Sequence, residues 1–380
     1  MKIGLVCPYP FDTPGGVREH VLGLYQEFTK RGHKVKIIFP GSFRKKKKKK
    51  DIIFLGISLK IPSNKDHASI TFCHNFDQKI QKILDKENFD IIHFHESYTP
   101  FSSLQLLEYS KSINIATFHA CSEASSLAKT AKTISKIYLK KMSKKIHGAI
   151  AVSKVSLKYA IFPDKRKIVI IPNGVDLSRF NSKISPLAKF NDDKLNILFV
   201  GRITKRKGLI YLLKAFRPLK KKYPFLRLII VGDGDQKSKV GQFVKDNEIK
   251  DVFFEGAISD KKLPSYYASA DIFCSPATEA ESFGIVLLEA MASGLPIVAF
   301  ANKGYRQVLK GLGEKGLVPS KNVRMLTKKI EDLIEDKKLR KDLSDWGRKE
   351  AGQYSWDKVA SEVLAFYEKT QKGQGRDIIS

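Results

Sequence analysis

The chain has 380 residues, of which 42% are apolar and 10% aromatic, and its formal net charge is +30 at pH 7. This length suits two domains of ordinary size, and the apolar fraction is enough to give each a core, which excludes a wholly disordered protein. The charge indicates either anionic partners, such as phosphorylated substrates, anionic lipid or nucleic acid, or a lysine-rich solvated surface.

Short apolar runs alternate with helical patterns through the first half of the chain. A buried strand is predicted at 3–7, followed by a glycine-rich turn and an amphipathic helix over 17–31 that Gly32 caps. Further strands are predicted at 35–39, 90–95, 115–118, 148–152 and 168–171. Because these runs are continuously apolar and do not alternate between apolar and polar residues, we expect strands buried on both faces, and hence a parallel sheet with helices on each side.

The pattern restarts after a polar stretch that ends at residue 194, contains Pro186 and has the composition of a linker. It predicts strands at 195–200, 226–231, 252–255, 271–274 and 296–300, and closing helices at 322–335, 337–352 and 356–369. We therefore predict an α/β protein of two doubly wound, Rossmann-like domains, residues 1–176 and 177–355, with a cleft between them. Ligands of such sheets bind at the carboxyl ends of the strands.

Two glycines, Gly15 and Gly16, precede the first predicted helix. Backbone N–H groups there could approach an anion closely, aided by the positive end of the helix. An ordinary tight turn has the same residues, so this pattern alone does not choose between the two interpretations.

The first strand of the second half leads into a basic loop, residues 201–208, that contains Arg202 and Lys207. A diphosphate leaving group gains negative charge as its bond to a sugar breaks. A guanidinium and an ammonium at the strand's carboxyl end would stabilise that charge. The alternative for these two residues is a solvated basic loop.

The most informative segment runs from 279 to 290, where a strand leads into a helix beginning near Gly284. The N–H groups of Phe283, Gly284 and Ile285 are helix-start donors that suit a phosphate or a sugar hydroxyl. Glu281 and Glu289 would repel a phosphate, so we expect them to accept hydrogen bonds from hydroxyl groups. A helix N-terminal charge also explains Glu281, whereas Glu289 lies among apolar residues and needs a partner.

Six motifs, in this order along nearly the whole chain, resemble glycosyltransferase family 4, retaining enzymes of the GT-B fold. They are Pro-Gly-Gly-Val at 14–17, Thr-Phe-His at 117–119, Ile-Pro-Asn-Gly-Val-Asp at 171–176, Gly-Arg at 201–202 with Lys-Gly at 207–208, Val-Gly-Asp-Gly at 231–234, and Glu-Ser-Phe-Gly at 281–284 with Glu289. Within the family the chain is most similar to the phosphatidylinositol α-mannosyltransferases, which share Val-Cys-Pro-Tyr at 6–9 and His-x-His-Glu at 93–96.

The resemblance implies a nucleotide-sugar donor, linked to GDP or UDP and held mainly by the second domain, with no metal and no other cofactor. It assigns the diphosphate to Arg202 and Lys207, with the backbone of the Gly15–Gly16 pair closing from the first domain. The remaining implied contacts are Glu289 for the ribose, Glu281, Phe283, Gly284, Ile285 and His119 for the sugar, and Gly232, Asp233 and Ile258 for the base. It also implies that the last helix, within 356–380, crosses back to pack on the first domain.

Two positions depart from the inositol mannosyltransferases. Those enzymes have Gln where this chain has Arg18, and an Arg associated with the acceptor near the position of Ser69. The resemblance therefore does not specify an inositol lipid as the acceptor.

Two motifs could suggest a metal ion. Asp233-Gly-Asp235 has the form of a D-x-D metal motif, but it directly follows a predicted strand of the second sheet, which favours a loop beside the nucleotide. His93 and His95 alternate along a predicted parallel strand, whose end we expect to line the cleft. No metal ligand is predicted.

A basic amphipathic helix is predicted near residues 129–145, with Lys132, Lys136 and Lys140 at helical spacing. Together with the basic run at 44–50, it suits an anionic membrane surface, although a packed helix with a solvated lysine face has the same pattern. Both features lie in the half expected to bind the acceptor.

We therefore expect a hexosyltransferase that moves a sugar, mannose from GDP-mannose by our interpretation, to a lipid-linked acceptor. A soluble sugar or metabolite acceptor is the alternative, and a polyanion-binding or nucleic-acid-binding protein is a different class that no nucleic-acid motif supports. We expect a peripheral protein at the cytoplasmic face of the membrane, without a signal peptide or a spanning helix. Four cysteines without a C-x-x-C pair agree with a reducing compartment.

Overall fold

A computed structural model of the chain describes residues 1–10, 15–40, 50–55, 57–61, 68–72, 76–97, 103–119, 141–160, 162 and 168–373. The chain forms two compact units: unit 1 is Met1–Asn173 with Trp356–Ser380, and unit 2 is Gly174–Ser355. The sequence pattern placed the division after residue 176.

Unit 1 is built on a parallel sheet of seven strands in the order β3-β2-β1-β6-β7-β8-β9. These strands are β1 (Lys2–Val6), β2 (Lys34–Pro40), β3 (Ile52–Leu55), β6 (Ile91–His95), β7 (Ile113–Phe118), β8 (Gly148–Ala151) and β9 (Val169–Ile170). A separate antiparallel pair joins β4 (Ile57–Ile61) to β5 (Ala68–Phe72). The order reverses at β1, which has β2 on one side and β6 on the other.

The described helices of unit 1 are α1 (Gly16–Lys30), α2 (Phe76–Glu87), α3 (Ser103–Tyr109), α4 (Lys154–Tyr159) and α12 (Trp356–Gln371). The last of these confirms the prediction that the final helix returns to the first domain. A Cβ on Gly23 of α1 would lie 2.2 Å from the Trp356 indole, so the missing side chain is what lets α12 approach. Arg31 donates to the Asp357 carboxylate at 2.9 Å. Tyr367, further along α12, is fully buried.

Unit 2 has a parallel sheet of six strands in the order β12-β11-β10-β13-β14-β15. They are β10 (Leu195–Val200), β11 (Leu226–Val231), β12 (Val252–Gly256), β13 (Ile272–Ser275), β14 (Ile297–Phe300) and β15 (Leu317–Val318). Its helices are α5 (Leu209–Lys222), α6 (Lys237–Asp246), α7 (Leu263–Ala268), α8 (Ile285–Ala292), α9 (Tyr305–Val308), α10 (Val323–Glu335) and α11 (Lys337–Ala351). The order reverses between β10 and β13, and ligands of doubly wound sheets bind beside such a switch point.

The polar stretch before β10 is part of unit 2, so its interpretation as a linker is wrong. Phe180 and Phe190 are 3% and 2% exposed, and the Phe180 ring lies 5.5 Å from the Tyr267 ring. These two buried aromatic side chains hold the stretch on unit 2 despite its polar composition, because each removes a large apolar surface from water.

Among the residues that the structure describes, no helix has both the length and the apolar character needed to cross a bilayer. Lys132, Lys136 and Lys140, and the basic run at 44–49, lie outside the described residues.

Candidate active site

Two loops of unit 2 meet at the switch point of its sheet: residues 201–208 after β10 and 276–284 after β13. Gly208 has a φ of +72°, and a Cβ there would lie 2.0 Å from the Pro276 carbonyl oxygen. The Thr278 N–H donates to the Arg206 carbonyl at 2.9 Å. The two segments that the sequence analysis singled out therefore form one structure at the carboxyl end of the sheet.

A carboxylate between two cations joins these loops. Glu281 Oε1 accepts from Arg206 Nη1 at 2.6 Å and from Lys207 Nζ at 2.9 Å. The side chains of Arg206, Lys207 and Glu281 are 21%, 14% and 9% exposed, so the cluster is largely shielded from water. Shielding strengthens the attraction between the charges, and charge-assisted hydrogen bonds fix their geometry.

Arg206 is the residue that the sequence analysis missed in this cluster. The 3-10 turn Lys205–Lys207 carries it beside Lys207, and Arg206 Nη1 also donates to the Ala280 carbonyl. Arg202 lies at the start of the same loop and is exposed. Two cations around one carboxylate leave a net positive charge, so the loop can attract an anion even while Glu281 is paired.

The start of α8 adds unpaired backbone donors to the same loop. Gly284 has a φ of +107°, and no side chain caps the helix there among the hydrogen bonds that the structure describes. A Cβ on Gly284 would lie 2.6 Å from the Tyr305 ring, so both the positive φ and the close approach of this ring require glycine here. Tyr305 is fully buried and its hydroxyl lies 2.7 Å from Ser275 Oγ. Helix-start N–H groups carry partial positive charge and suit phosphate or hydroxyl oxygen.

Glu289, one turn further along α8, is 8% exposed, and Tyr267 on α7 is its partner. The Tyr267 hydroxyl donates to Glu289 Oε2 at 2.7 Å. Burial and then the neighbouring carboxylate raise the pKa of Tyr267 well above its usual value, so the phenol stays protonated and keeps donating. The sequence analysis expected a partner for Glu289 without identifying it.

A third loop, which follows β14, packs against the 276–284 loop. Asn302, after β14, donates through Nδ2 to the Ala277 carbonyl at 3.0 Å and accepts from the N–H of Tyr305 at 2.9 Å. A Cβ on Gly304 would lie 2.3 Å from the Glu281 carbonyl oxygen. The sequence analysis missed these residues, whose only local signal is the Asn-x-Gly turn after a buried strand.

The loop after β11 packs against residue 201. Gly232 has a φ of +134°, and a Cβ there would lie 2.0 Å from the Gly201 carbonyl oxygen. Asp233 accepts from the Gly234 N–H at 2.8 Å and from Lys237 Nζ at 3.2 Å, and the Gly234 N–H is the main reason that the pKa of Asp233 lies below its usual value. Ile258 is half-buried against the neighbouring core.

Among its described residues, unit 1 has four buried histidines, three of which lie on or next to β6 and β7. His93 is held on both ring nitrogens, by the Tyr367 hydroxyl and by Thr117 Oγ1, each at 2.6 Å. His95 Nδ1 lies 3.1 Å from His119 Nε2, so one of these nitrogens donates to the other. The His119 N–H donates to Glu96 Oε1 at 2.7 Å, which fixes the chain beyond β7.

The fourth histidine, His20 on α1, completes this group. Its Nδ1 lies 2.8 Å from Asn173 Oδ1. Burial lowers the pKa of His20 to about 4, and burial together with the neighbouring imidazoles lowers the pKa of His95 and of His119 well below the usual value. All three rings are therefore neutral at pH 7. His119 and the His93–His95 pair stand in motifs of the sequence, whereas no motif contains His20.

The N-terminus of α1 follows Gly15, and no side chain caps it among the described contacts. Arg18 in its first turn donates to Glu19 Oε1 at 2.6 Å. Pro14 lies outside the described residues.

Comparisons with known proteins agree with this arrangement. Residues 14–179 match the profile described as Glycosyltransferase Family 4, and residues 181–350 match Glycosyl transferases group 1. A phosphatidyl-myo-inositol mannosyltransferase of Mycobacterium tuberculosis H37Rv is 34% identical over 100% of this chain and 99% of its own length. The chain belongs to glycosyltransferase family 4.

Two solved structures show the fold of this glycosyltransferase. A glycosyltransferase from Rickettsia africae has a TM-score of 0.75 at 22% identity and covers 98% of each chain. The Anabaena protein HepE in complex with UDP-glucose has a TM-score of 0.74 at 17% identity, covering 97% of this chain and 100% of its own. The predicted family and the predicted GT-B class of two Rossmann-like domains are confirmed.

Proposed function

We propose that this glycosyltransferase moves mannose from GDP-mannose to a lipid-linked acceptor and retains the configuration at the anomeric carbon. The full-length similarity to proteins named phosphatidyl-myo-inositol mannosyltransferase carries the proposal, since it spans both units at 34% identity. The loops of unit 2 supply groups that suit a nucleotide sugar.

The proposal assigns the donor diphosphate to the cations of the loop after β10: Arg202, Arg206 and Lys207. Glu281 holds two of them in place before the donor arrives, so they need not reorganise as charge develops on the leaving group. The N–H groups of Phe283, Gly284 and Ile285 take oxygen atoms of the donor at the positive end of α8. Fixed cations stabilise the departing diphosphate, and we propose that transfer requires no metal ion.

Glu289 is assigned to the ribose. Its orientation is set by Tyr267, so a carboxylate oxygen is already positioned to accept from a hydroxyl group. Gly232, Asp233 and Ile258 are assigned to the base, because the loop after β11 adjoins residue 201. In unit 1, the backbone of Gly15 and Gly16 and the ring of His119 are assigned to the diphosphate and the sugar.

For the acceptor we propose a lipid, bound to unit 1 while the protein lies peripherally on the cytoplasmic face of the membrane. The names of the relatives support a phosphatidylinositol acceptor. Arg18 and Ser69 depart from the inositol mannosyltransferases, so these two positions do not specify an inositol lipid, and a soluble sugar or metabolite acceptor is the second candidate.

The test is a transfer assay with purified protein and labelled GDP-mannose, UDP-glucose or UDP-GlcNAc. Each donor is offered with phosphatidylinositol vesicles, with phosphatidylglycerol vesicles or with free inositol. We expect label in the lipid fraction from GDP-mannose, unaffected by EDTA, with an α-linkage by NMR. Label only in free sugar would establish the soluble acceptor, and no transfer from any donor would refute the proposal.

Measuring the affinity for nucleic acid at several salt concentrations distinguishes a glycosyltransferase from a protein whose function is to bind polyanions. If the protein's main ligand were nucleic acid, its affinity for DNA or RNA would be high and would fall steeply with salt concentration. We expect the affinity for DNA and RNA to be low, and we expect saturating GDP-mannose to leave it unchanged.

A further inference from the structure

Three buried histidines of unit 1 lie at the corners of a nearly equilateral triangle. They come from three elements: His20 from α1, His95 from the end of β6, and His119 from the residue after β7. The ring centres are 5.2 Å apart for His20 and His95, 4.9 Å for His20 and His119, and 5.4 Å for His95 and His119. One ring nitrogen of each lies within 4.8 Å of those of the other two. We call these residues the histidine triangle.

The spacing matches three imidazoles on one tetrahedral ion. With a Zn–N distance of about 2.0–2.1 Å, tetrahedral angles place the ring centres about 5 Å apart. Ordinary stacking of imidazoles gives a different arrangement, which the same unit shows: the His93 ring lies 4.3 Å from the His95 ring at an interplanar angle of 32°. His93 is also engaged at both nitrogens and is not available as a ligand.

Two ring nitrogens of the triangle are buried without a hydrogen-bond partner among the described residues. They are Nε2 of His20 and Nε2 of His95, in residues that are 1% and 0% exposed. A buried polar atom without a partner is costly and requires an explanation, and a bound ion is one that accounts for both atoms at once. Both belong to the same small group of rings.

The surroundings of the triangle resemble the outer shell of a metal site. His20 Nδ1 lies 2.8 Å from Asn173 Oδ1, an acceptor that fixes the proton on Nδ1 and leaves the lone pair on Nε2. The Glu96 carboxylate holds the His119 backbone at 2.7 Å. His119, at 8% exposure, is the most accessible of the three and marks the side of entry.

We propose that His20, His95 and His119 form a binding site for a tetrahedral transition-metal ion, Zn²⁺ above all. Three protein ligands leave a fourth coordination position for water. The ion is not a cofactor of the proposed transfer, which needs none. Because His119 is also assigned to the sugar, a bound Zn²⁺ withdraws this ring from the donor and inhibits transfer. That consequence rests on the proposed function, whereas the metal site does not.

The site is tested by titrating the EDTA-treated, dialysed full-length protein with Co²⁺. We expect one ion per chain, the intense visible absorption of tetrahedral Co²⁺, and loss of that absorption when Zn²⁺ is added. His20→Ala should weaken binding by about 100-fold or more, and Asn173→Ala, which removes only the outer-shell acceptor, by about 10–100-fold. Absence of the tetrahedral spectrum in the wild-type protein would overturn the proposal.

His33 provides the matched control. Its Nδ1 lies 3.3 Å from the N-terminal amino group, a pair that could itself take a metal ion. We expect His33→Ala to bind Co²⁺ as the wild type does, and the reverse pattern, with binding lost in His33→Ala and kept in His20→Ala, would refute the triangle. If the His20 variant does not fold, a wild-type crystal soaked with Zn²⁺ decides the question. An anomalous peak among the three rings supports the site, and a peak elsewhere or none rejects it.

Inhibition is measured separately in the transfer assay. We expect micromolar Zn²⁺ to raise the KM for the donor, EDTA to reverse the effect, and Asn173→Ala to require more Zn²⁺. Zinc binding without inhibition would reject the shared use of His119 and leave the metal site intact. Failure of transfer without zinc would instead count against the proposed function alone.

Discussion

Glu281 accepts from two cations at a single carboxylate oxygen. Removing its charge frees Arg206 and Lys207 to take other positions, and a displaced cation stabilises a developing charge poorly. The contribution of Glu281 is thus to hold two charges in place before the donor binds, besides any contact with the sugar.

We expect Glu281→Gln to lower kcat/KM for the donor by roughly tenfold or more, since the amide keeps the shape but loses the charge that orients both cations. Steady-state kinetics with the preferred nucleotide sugar measures this. Glu279→Gln is the matched control, because Glu279 is an exposed carboxylate two residues away in the same loop. Equal activities in the two variants would contradict the assignment.

The Tyr267–Glu289 pair makes a second prediction at this scale. Tyr267→Phe removes a charge-assisted hydrogen bond inside the fold, which should lower the free energy of unfolding by about 1.5–3 kcal/mol. Urea denaturation of this variant, of Glu289→Gln and of the double variant gives the coupling between the two residues. We expect a coupling of about 0.5–3 kcal/mol. Additive effects would show that the pair does not act as one unit.

The sequence could predict residues of the site but not their pairings. Arg206 adjoins Lys207, yet its partner Glu281 is 75 residues away, and no spacing rule connects the two. Tyr267 lies on a different helix from Glu289, and the apolar context of Glu289 predicted only that some partner exists. Gly284 was identified because the helical pattern begins there, and a helix start is a local feature of the sequence; its φ of +107° became visible only in the structure.

Among the elements, every strand of the two parallel sheets other than β3 and β15 was predicted within two residues of its bounds. Their apolar runs are set by burial on both faces, which is a local property of the sequence. β3, β4, β5 and β15 were missed. β3 does have a local apolar run, Ile-Ile-Phe-Leu at 52–55, but this run comes just after the basic run and was not interpreted as a strand. Among the described strands, β4 and β5 pair only with each other, and β15 has two residues, so these three depend on partners that no local pattern shows.

The contact of α1 with α12 depends on a missing side chain. Gly23→Ala would place a Cβ 2.2 Å from the Trp356 indole, and we expect this overpacking to lower the free energy of unfolding by about 1–3 kcal/mol. Thermal or urea denaturation measures it.

Gly241→Ala is the control for this prediction. Gly241 lies within α6 and has no neighbour within 4 Å of its ideal Cβ. The same substitution should there stabilise the protein by about 0.5–1 kcal/mol, because alanine is the better helix former. Destabilisation of equal size at both positions would mean that packing against Trp356 is not the cause.

At the scale of the whole molecule, unit 2 is one continuous segment and unit 1 is two. α12 contributes Val359, Val363 and Phe366 to the core of unit 1, each at most 6% exposed. Burying a side chain of this size contributes about 1.5–3 kcal/mol, whereas the total stability of a domain is about 5–15 kcal/mol. Unit 1 therefore depends on the last helix.

We expect a chain that ends at residue 355 to lose the folded state of unit 1 and to keep that of unit 2. Calorimetry of the truncated chain should show a single unfolding transition, whereas the full chain should show two transitions or one broader transition. Limited proteolysis of the truncated chain should leave a fragment close to residues 174–355. The separately expressed segment 174–355 should fold on its own and give the same transition temperature. An intact unit 1 in the truncated chain would contradict the packing of α12.

This division has a consequence for the nascent protein. Residues 174–355 are synthesised before α12, so unit 1, whose first segment is translated earliest, is the unit that completes its core last. Until the sixteen-residue helix Trp356–Gln371 has left the exit tunnel, the face of α1 around Gly23 lacks the apolar side chains that cover it in the folded unit. Completion of the core of unit 1 therefore waits until the residues up to Gln371 have been synthesised.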